Sequence, residues 1–278
     1  MTPAKPSSNS DPRTPFEIEI DIAAPVADVW RALTEAEELT RWFPLAARVK
    51  PGVGGTVFLS WGPACEGEAP ITLWEPNRRL QVTEQTPDPA GGPSPVPLVI
   101  DYFLESRGAT TRLRLVHSGF TRDASWDGYY DSISRGWKFE LRGLRHYLER
   151  HRGLQRDVIW VRQHIGACDA AEAAARVLGG DGQVYRGELA ALREGDAYRL
   201  APVAAGVPEL SGRVQVNGLP RSFAATVEGL NSAYLRWEIE HYEGAVQAWL
   251  WLSTFGVDAT TRTSVESAWQ EALRRAFG

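Results

Sequence analysis

Apolar and acidic residues alternate through FEIEIDI (16–22), the period of two expected of a strand with one buried face. The period then changes. In AAPVADVWRALTEAEELTRWF (23–43), Val29, Trp30 and Leu33 recur at helical spacing and Pro25 suits a first helical turn. Thr34 followed by Glu37 predicts a capping box opening a second short helix that ends near Trp42 and Phe43. Short strands follow. RVKPGVGGTVFLSWG (48–62) turns at its glycines, and ITLWEPNRRLQVTEQT (71–86) turns at Glu-Pro-Asn. After a Pro/Gly loop, TPDPAGGPSPVP (86–97), the stretch 98–120 reads as a hairpin turning at Arg107-Gly108. Ile133, Trp137, Leu141, Leu144 and Leu148 then mark one face of a long helix. Strand, two short helices, a run of strands and one long helix together predict an antiparallel sheet with one face covered.

The long helix has a double. SISRGWKFELRGLRHYLE (132–149) shares Ser, Trp, Leu and Arg with SVESAWQEALRRAFG (264–278), each 132 positions later. Before it, YLRWEIEHY (234–242) and AVQAWLWLSTF (245–255) read as strands joined at Glu243-Gly244, and Val265, Trp269, Leu273 and Phe277 form a second helical stripe. A chain of 278 residues accommodates two domains.

Composition narrows the function. The chain carries a net charge of −5 and no run of Lys or Arg, so nucleic-acid binding driven by phosphate contacts is disfavoured. Cys65 and Cys168 stand alone, and the five histidines show no metal-binding spacing. No metal site, cofactor or disulfide framework is therefore expected, and a cytoplasmic location is. Residues 1–15 read as a polar disordered tail without a secretory core, and no stretch is long and apolar enough to span a membrane. Eleven tryptophans against a single methionine are the unusual feature, since such large rigid side chains must fill a core or line a cavity.

Five segments in order carry a resemblance: APVADVWRALTEAEELTRWF (24–43), Val53 to Gly55, LWEPNRRLQVTEQ (73–85), TRLRLVHSGF (111–120) and GWKFELRGLRHYLE (136–149). Together they resemble the AHSA1-like family (activator of Hsp90 ATPase homologue 1-like) of the SRPBCC, or START/Bet v 1-like, superfamily. The resemblance implies an α+β helix-grip fold, a curved antiparallel sheet gripping a long C-terminal helix around a hydrophobic pocket. The expected organisation is a tail (1–15), an AHSA1-like domain (16–153) and a divergent second copy (154–278). The spacing between matched residues falls from 144 at Pro76/Pro220 to 136 at Gly108/Gly244, 135 at Phe120/Phe255 and 132 in the closing helices. ATTR recurs at Ala109 and Ala259, but its spacing of 150 breaks that trend and reads as coincidence.

Within this fold Trp42, Phe43, Trp61, Trp74, Tyr102, Trp126, Tyr129, Tyr130, Trp137 and Leu141 are the candidate cavity residues. Arg48, Asp101 and Arg112 are candidate polar anchors if they point inward, and DASWDGYYDS (123–132) is the candidate lid. His117 reads as a structural histidine, Ser118 lacks a nucleophile elbow, and no catalytic residue is assigned. The expected function is non-catalytic binding of a small hydrophobic molecule or lipid in the first domain. The alternatives are an enzyme of the same superfamily, cyclase- or hydrolase-like, and an Hsp90 co-chaperone-like interaction protein. Pairing through the Trp-rich strands would make a homodimer.

Overall fold

Two curved antiparallel sheets, each of seven strands and each with its own long helix, make up the computed structural model, which describes residues 11–84, 97–242 and 244–278. The chain divides into two units at Arg152–Gly153. The loop expected at 86–97 lies outside the described residues except for Pro97, as does the first part of the expected tail.

The first unit runs β1 (Phe16–Ile22), α1 (Val26–Thr34), α2 (Ala36–Thr40), β2 (Ala46–Lys50), β3 (Thr56–Ser60), β4 (Glu66–Glu75), β5 (Arg79–Glu84), β6 (Leu98–Arg107), β7 (Thr110–Ser118) and α3 (Asp127–His146). Its strand order is β1-β7-β6-β5-β4-β3-β2. The alternation read from the sequence becomes two faces: Leu80 and Val82 of β5, Ile100 and Tyr102 of β6, and Leu113, Leu115 and His117 of β7 are buried together on the inner one. Two glycines make the local geometry. A Cβ at Gly55 would lie 1.9 Å from the Lys50 carbonyl oxygen, closing the β2–β3 turn to any other residue. Gly119 has φ +96, and a Cβ there would meet the Pro97 carbonyl oxygen at 2.3 Å, so the chain crosses β6 closely and delivers Phe120 to the interior.

Some local expectations change. Thr34 opens no capping box; it ends α1, donating its hydroxyl to the Trp30 carbonyl at 2.7 Å, and α2 starts without a side-chain cap. The long helix begins at Asp127, earlier than its apolar stripe suggests, after a 3-10 turn (Ala124–Trp126) capped by Asp123, which accepts from the Ser125 amide at 2.9 Å. Residues 11–13, expected within the tail, pair with the segment just after β7: Pro12 bridges Thr121, and Arg13 N–H donates to Phe120 O at 2.8 Å.

The second unit runs β8 (Arg156–His164), α4 (Ala170–Leu178), β9 (Tyr185–Arg186), β10 (Ala197–Pro202), β11 (Leu210–Gly218), β12 (Ser222–Val227), β13 (Ala233–Tyr242), β14 (Ala245–Phe255) and α5 (Ala259–Phe277). Its strand order, β8-β14-β13-β12-β11-β10-β9, is that of the first sheet element for element. Even the irregularities coincide. The register slips between Ile71 and Leu73 in β4 and between Val214 and Val216 in β11, two positions 143 residues apart in sequence. The following hairpins close on Glu75↔Arg79 and Gly218↔Ser222, at the same spacing of 143. The β6–β7 and β13–β14 hairpins close on Arg107↔Thr110 and Tyr242↔Ala245, at 135. The chain is thus a tandem of two helix-grip folds, the second without a counterpart of α2.

In the second unit α4 is held by a capping box: Asp169 accepts from the Glu172 amide at 2.9 Å, and Glu172 accepts from the Asp169 amide at 3.1 Å. Asp169→Ala is expected to cost about 1 kcal/mol in urea unfolding. A change within error would show that α4 is held by its buried face alone.

Candidate functional site

The motif Arg41-Trp42-Phe43 follows α2, and each residue has a distinct task. Arg41 pairs with the buried Glu38, whose carboxylate also accepts from Tyr147 Oη at 2.8 Å beyond the end of α3. Trp42 donates its indole N–H to Ala32 O at 2.8 Å. These bonds fix the segment, and Phe43 is left facing the interior.

From Phe43 a continuous set of aromatic contacts crosses the unit. Phe43 stacks on Trp42 (ring centroids 4.8 Å) and meets Trp61 at 5.0 Å and Trp137 of α3 at 5.4 Å. Trp137 touches Tyr102 at 6.0 Å and His117 at 6.3 Å, and His117 touches Phe120 at 4.9 Å. Phe120 then meets Trp126 at 6.2 Å, Tyr129 at 6.5 Å and Tyr130 at 5.0 Å. Eight of the nine aromatic candidates are brought together, and Leu141 is fully buried one turn beyond Trp137. Trp74 packs elsewhere, edge-on to Trp30 of α1 at 5.1 Å.

The three polar anchors stand on the outer face of the sheet. Arg48 is exposed, its guanidinium 3.7 Å from the Phe58 ring. Asp101 accepts from Arg79 at 2.8 Å and from Gln81 at 3.0 Å. Arg112 pairs with Asp21 at 2.9 Å. Each alternates with inner-face neighbours, so a period of two turns all three outward.

The interior polar groups are others. His117 is buried, and its Nδ1 accepts the Trp137 indole N–H at 3.0 Å. Burial, which would strip the imidazolium of water, pushes its pKa down to about 3, so the ring is neutral. Burial also raises Tyr102, with the carboxylates of Glu84 and Glu140 adding to the shift, and it raises Glu84. Glu84 shares the parity of Leu80 and Val82, and His117 that of Leu113 and Leu115. The alternation carries that signal; His117 has the structural, hydrogen-bonded role expected of it, while Glu84 stands out by no motif. Ser118, adjacent to His117, faces the opposite way along the strand and forms no dyad with it.

Near this aromatic set lies a cleft of about 530 Å³, lined by Arg13, Thr14, Arg122, Asp127 and Tyr130. The Arg13 guanidinium lies 3.9 Å from the Tyr130 ring and 2.6 Å from the Asp127 carboxylate. Tyr130 therefore both lines the cleft and contacts Phe120. Most of the expected lid is helical: Ala124–Trp126 form the 3-10 turn, and Asp127 to Ser132, six of the lid's ten residues, form the first turns of α3.

Comparison with known proteins bears on this unit. Residues 23–149 match the family model described as activator of Hsp90 ATPase homolog 1-like protein. This segment is an AHSA1-like domain. No curated protein matches the chain. Among solved structures, DynU16 from the dynemicin biosynthetic locus is 17% identical over 96% of this chain and 98% of its own, with a TM-score of 0.41. The Aha1 dimer from Colwellia psychrerythraea is 21% identical over 51% of this chain and 100% of its own, at 0.42. Protein MLL2253 from Mesorhizobium loti is 24% identical over 49% and 98%, at 0.41.

The second unit repeats the architecture of the AHSA1-like domain with a different interior. By the hairpin registers, the places of Glu84, Tyr102 and His117 are taken by Val227, Trp237 and Leu252. Trp269 stands for Trp137 and donates to Tyr185 Oη at 2.6 Å, while Trp237 donates to Pro220 O at 3.1 Å. Among the described residues no helix is long and apolar enough to cross a membrane, and no group of three or more potential metal ligands gathers.

Proposed function

We propose that the AHSA1-like domain binds a small, largely apolar molecule between the inner face of its sheet and α3, without catalysing a reaction on it. The observation that carries this reading is the aromatic series from Trp42 to Tyr130 around a buried, neutral His117. Aromatic walls with a few placed polar groups are the usual lining of a small-molecule site. Gathered ionisable groups with displaced pKa values also mark catalytic sites, which is the case for the enzyme alternative. The directions favour binding instead. His117 is driven far below neutrality and Tyr102 upward, both by burial, so neither is poised to exchange a proton near pH 7. The neutral His117 and Tyr102 rings also cost little to pair with an apolar ligand.

A library of aromatic and lipid-like compounds, read by thermal shift and tryptophan fluorescence, tests the proposal. A ligand at a hundred times its Kd adds about 2.7 kcal/mol. Stabilisation of that size, accompanied by a change in tryptophan emission, is expected for at least one class. Failure of every apolar compound to raise Tm would rule the reading out.

A further inference from the structure

Tryptophan's indole nitrogen only donates, so the Nδ1 of His117 that receives it carries no proton. In a neutral imidazole the proton then sits on Nε2, making that atom a donor. This Nε2 is buried and has no hydrogen-bond partner among the described residues. Trp126 Nε1, in a fully buried side chain, is a second donor in the same condition. Both rings pack against Phe120, His117 at 4.9 Å and Trp126 at 6.2 Å, so the two N–H groups belong to one region of the interior.

Buried donors without acceptors are rare because each forfeits its hydration. The fold itself does not demand these two. In the second unit Leu252 replaces His117, and the interior indoles Trp237 and Trp269 both donate to oxygen acceptors. This pair has no counterpart at the matching place in the second unit, and Phe120, which both rings contact, also contacts Tyr130 of the cleft lining.

We infer that the AHSA1-like domain takes an aromatic molecule bearing an oxygen acceptor, a carbonyl above all, and that this oxygen is received by the His117 Nε2–H. The inference rests on the ligand-binding reading above and names its chemical class. A hydrocarbon of the same shape leaves the donor unmet, and a cation places positive charge against N–H groups.

Matched pairs differing only in the carbonyl test it: fluorenone against fluorene, and benzophenone against diphenylmethane, titrated by tryptophan quenching. The intact protein is expected to bind each ketone about tenfold or more tightly than its hydrocarbon. His117→Leu, the residue of the second unit, is expected to bring the two within about twofold while hydrocarbon affinity persists. In the unsubstituted protein the His117 side-chain nitrogen resonances are expected to shift with fluorenone and not with fluorene, which decides the matter if the variant fails to fold. Equal affinity within the pairs, a preference that survives His117→Leu, or nitrogen resonances indifferent to the carbonyl overturns the inference and leaves ligand binding standing. Absence of binding by all four compounds, with the wider library also silent, overturns both.

Discussion

Trp137→Ala is expected to destabilise the first unit by about 4 kcal/mol, within the range for truncating a buried tryptophan. Trp137 is 6% exposed and stands where α3 meets the sheet, touching Phe43, Tyr102 and His117. Its loss opens a large cavity and removes the partner of His117 Nδ1. Trp137→Phe keeps most of the packing and loses the hydrogen bond, so a smaller cost of about 1–2 kcal/mol is expected. Native-state hydrogen exchange along β6 and β7 measures both. A loss below 1 kcal/mol for the alanine variant would mean that the grip between helix and sheet is carried elsewhere.

Acid is expected to weaken the same unit through His117. The unfolded imidazole takes up its proton near 6.5 and the folded one only near 3. Between those values the unfolded state binds more protons, so the contribution of His117 is complete above 6.5 and declines as pH falls. From pH 7 to pH 5 the expected loss is about 2 kcal/mol. Glu84 acts in the opposite sense: its raised pKa favours the folded state below the ordinary carboxylate value, and that contribution fades as pH rises. Surface carboxylates are held low by their bonds, Asp21 by Arg112 and Glu271, at about 2, by Arg274 and Arg275, and they titrate below this window. Urea unfolding at pH 7, 6 and 5, compared between the unsubstituted protein and His117→Leu, isolates the histidine. Parallel profiles would mean that the buried ring pays no desolvation cost on protonation.

The tandem architecture was legible because duplication preserves spacing. The matched bulges at Ile71/Leu73 and Val214/Val216 and the paired hairpins refine sequence offsets of 144 and 136 to 143 and 135. The aromatic group was legible as large side chains that need burial, although Trp42, Phe43 and Trp61 lie outside helices and strands and Trp61, Tyr129 and Tyr130 are only half-buried. Trp74 was the exception: beside the bulge in β4 it turns to Trp30. The polar interior was the harder part. Arg48, Asp101 and Arg112 are conspicuous as charges, whereas Glu84 stands out by no motif and His117 reads only as a structural histidine. His117 is covered by Phe120, three residues on, and by Trp137 of α3, twenty residues on.

One tetrapeptide separates the two kinds of information. Ala109-Thr110-Thr111-Arg112 leaves a hairpin turn and enters β7, while Ala259-Thr260-Thr261-Arg262 opens α5. The flanking residues decide locally: Gly108, at φ +70, turns the first copy, and Asp258 caps the second by accepting from the Thr261 amide at 2.9 Å. Sequence by itself determined elements, their buried faces and the repeat, because periodicity and capping are properties of neighbouring residues. Only the tertiary structure decided which polar groups lie inside. Burial of a strand end depends on what another element lays across it, and for His117 that is Trp137 of α3.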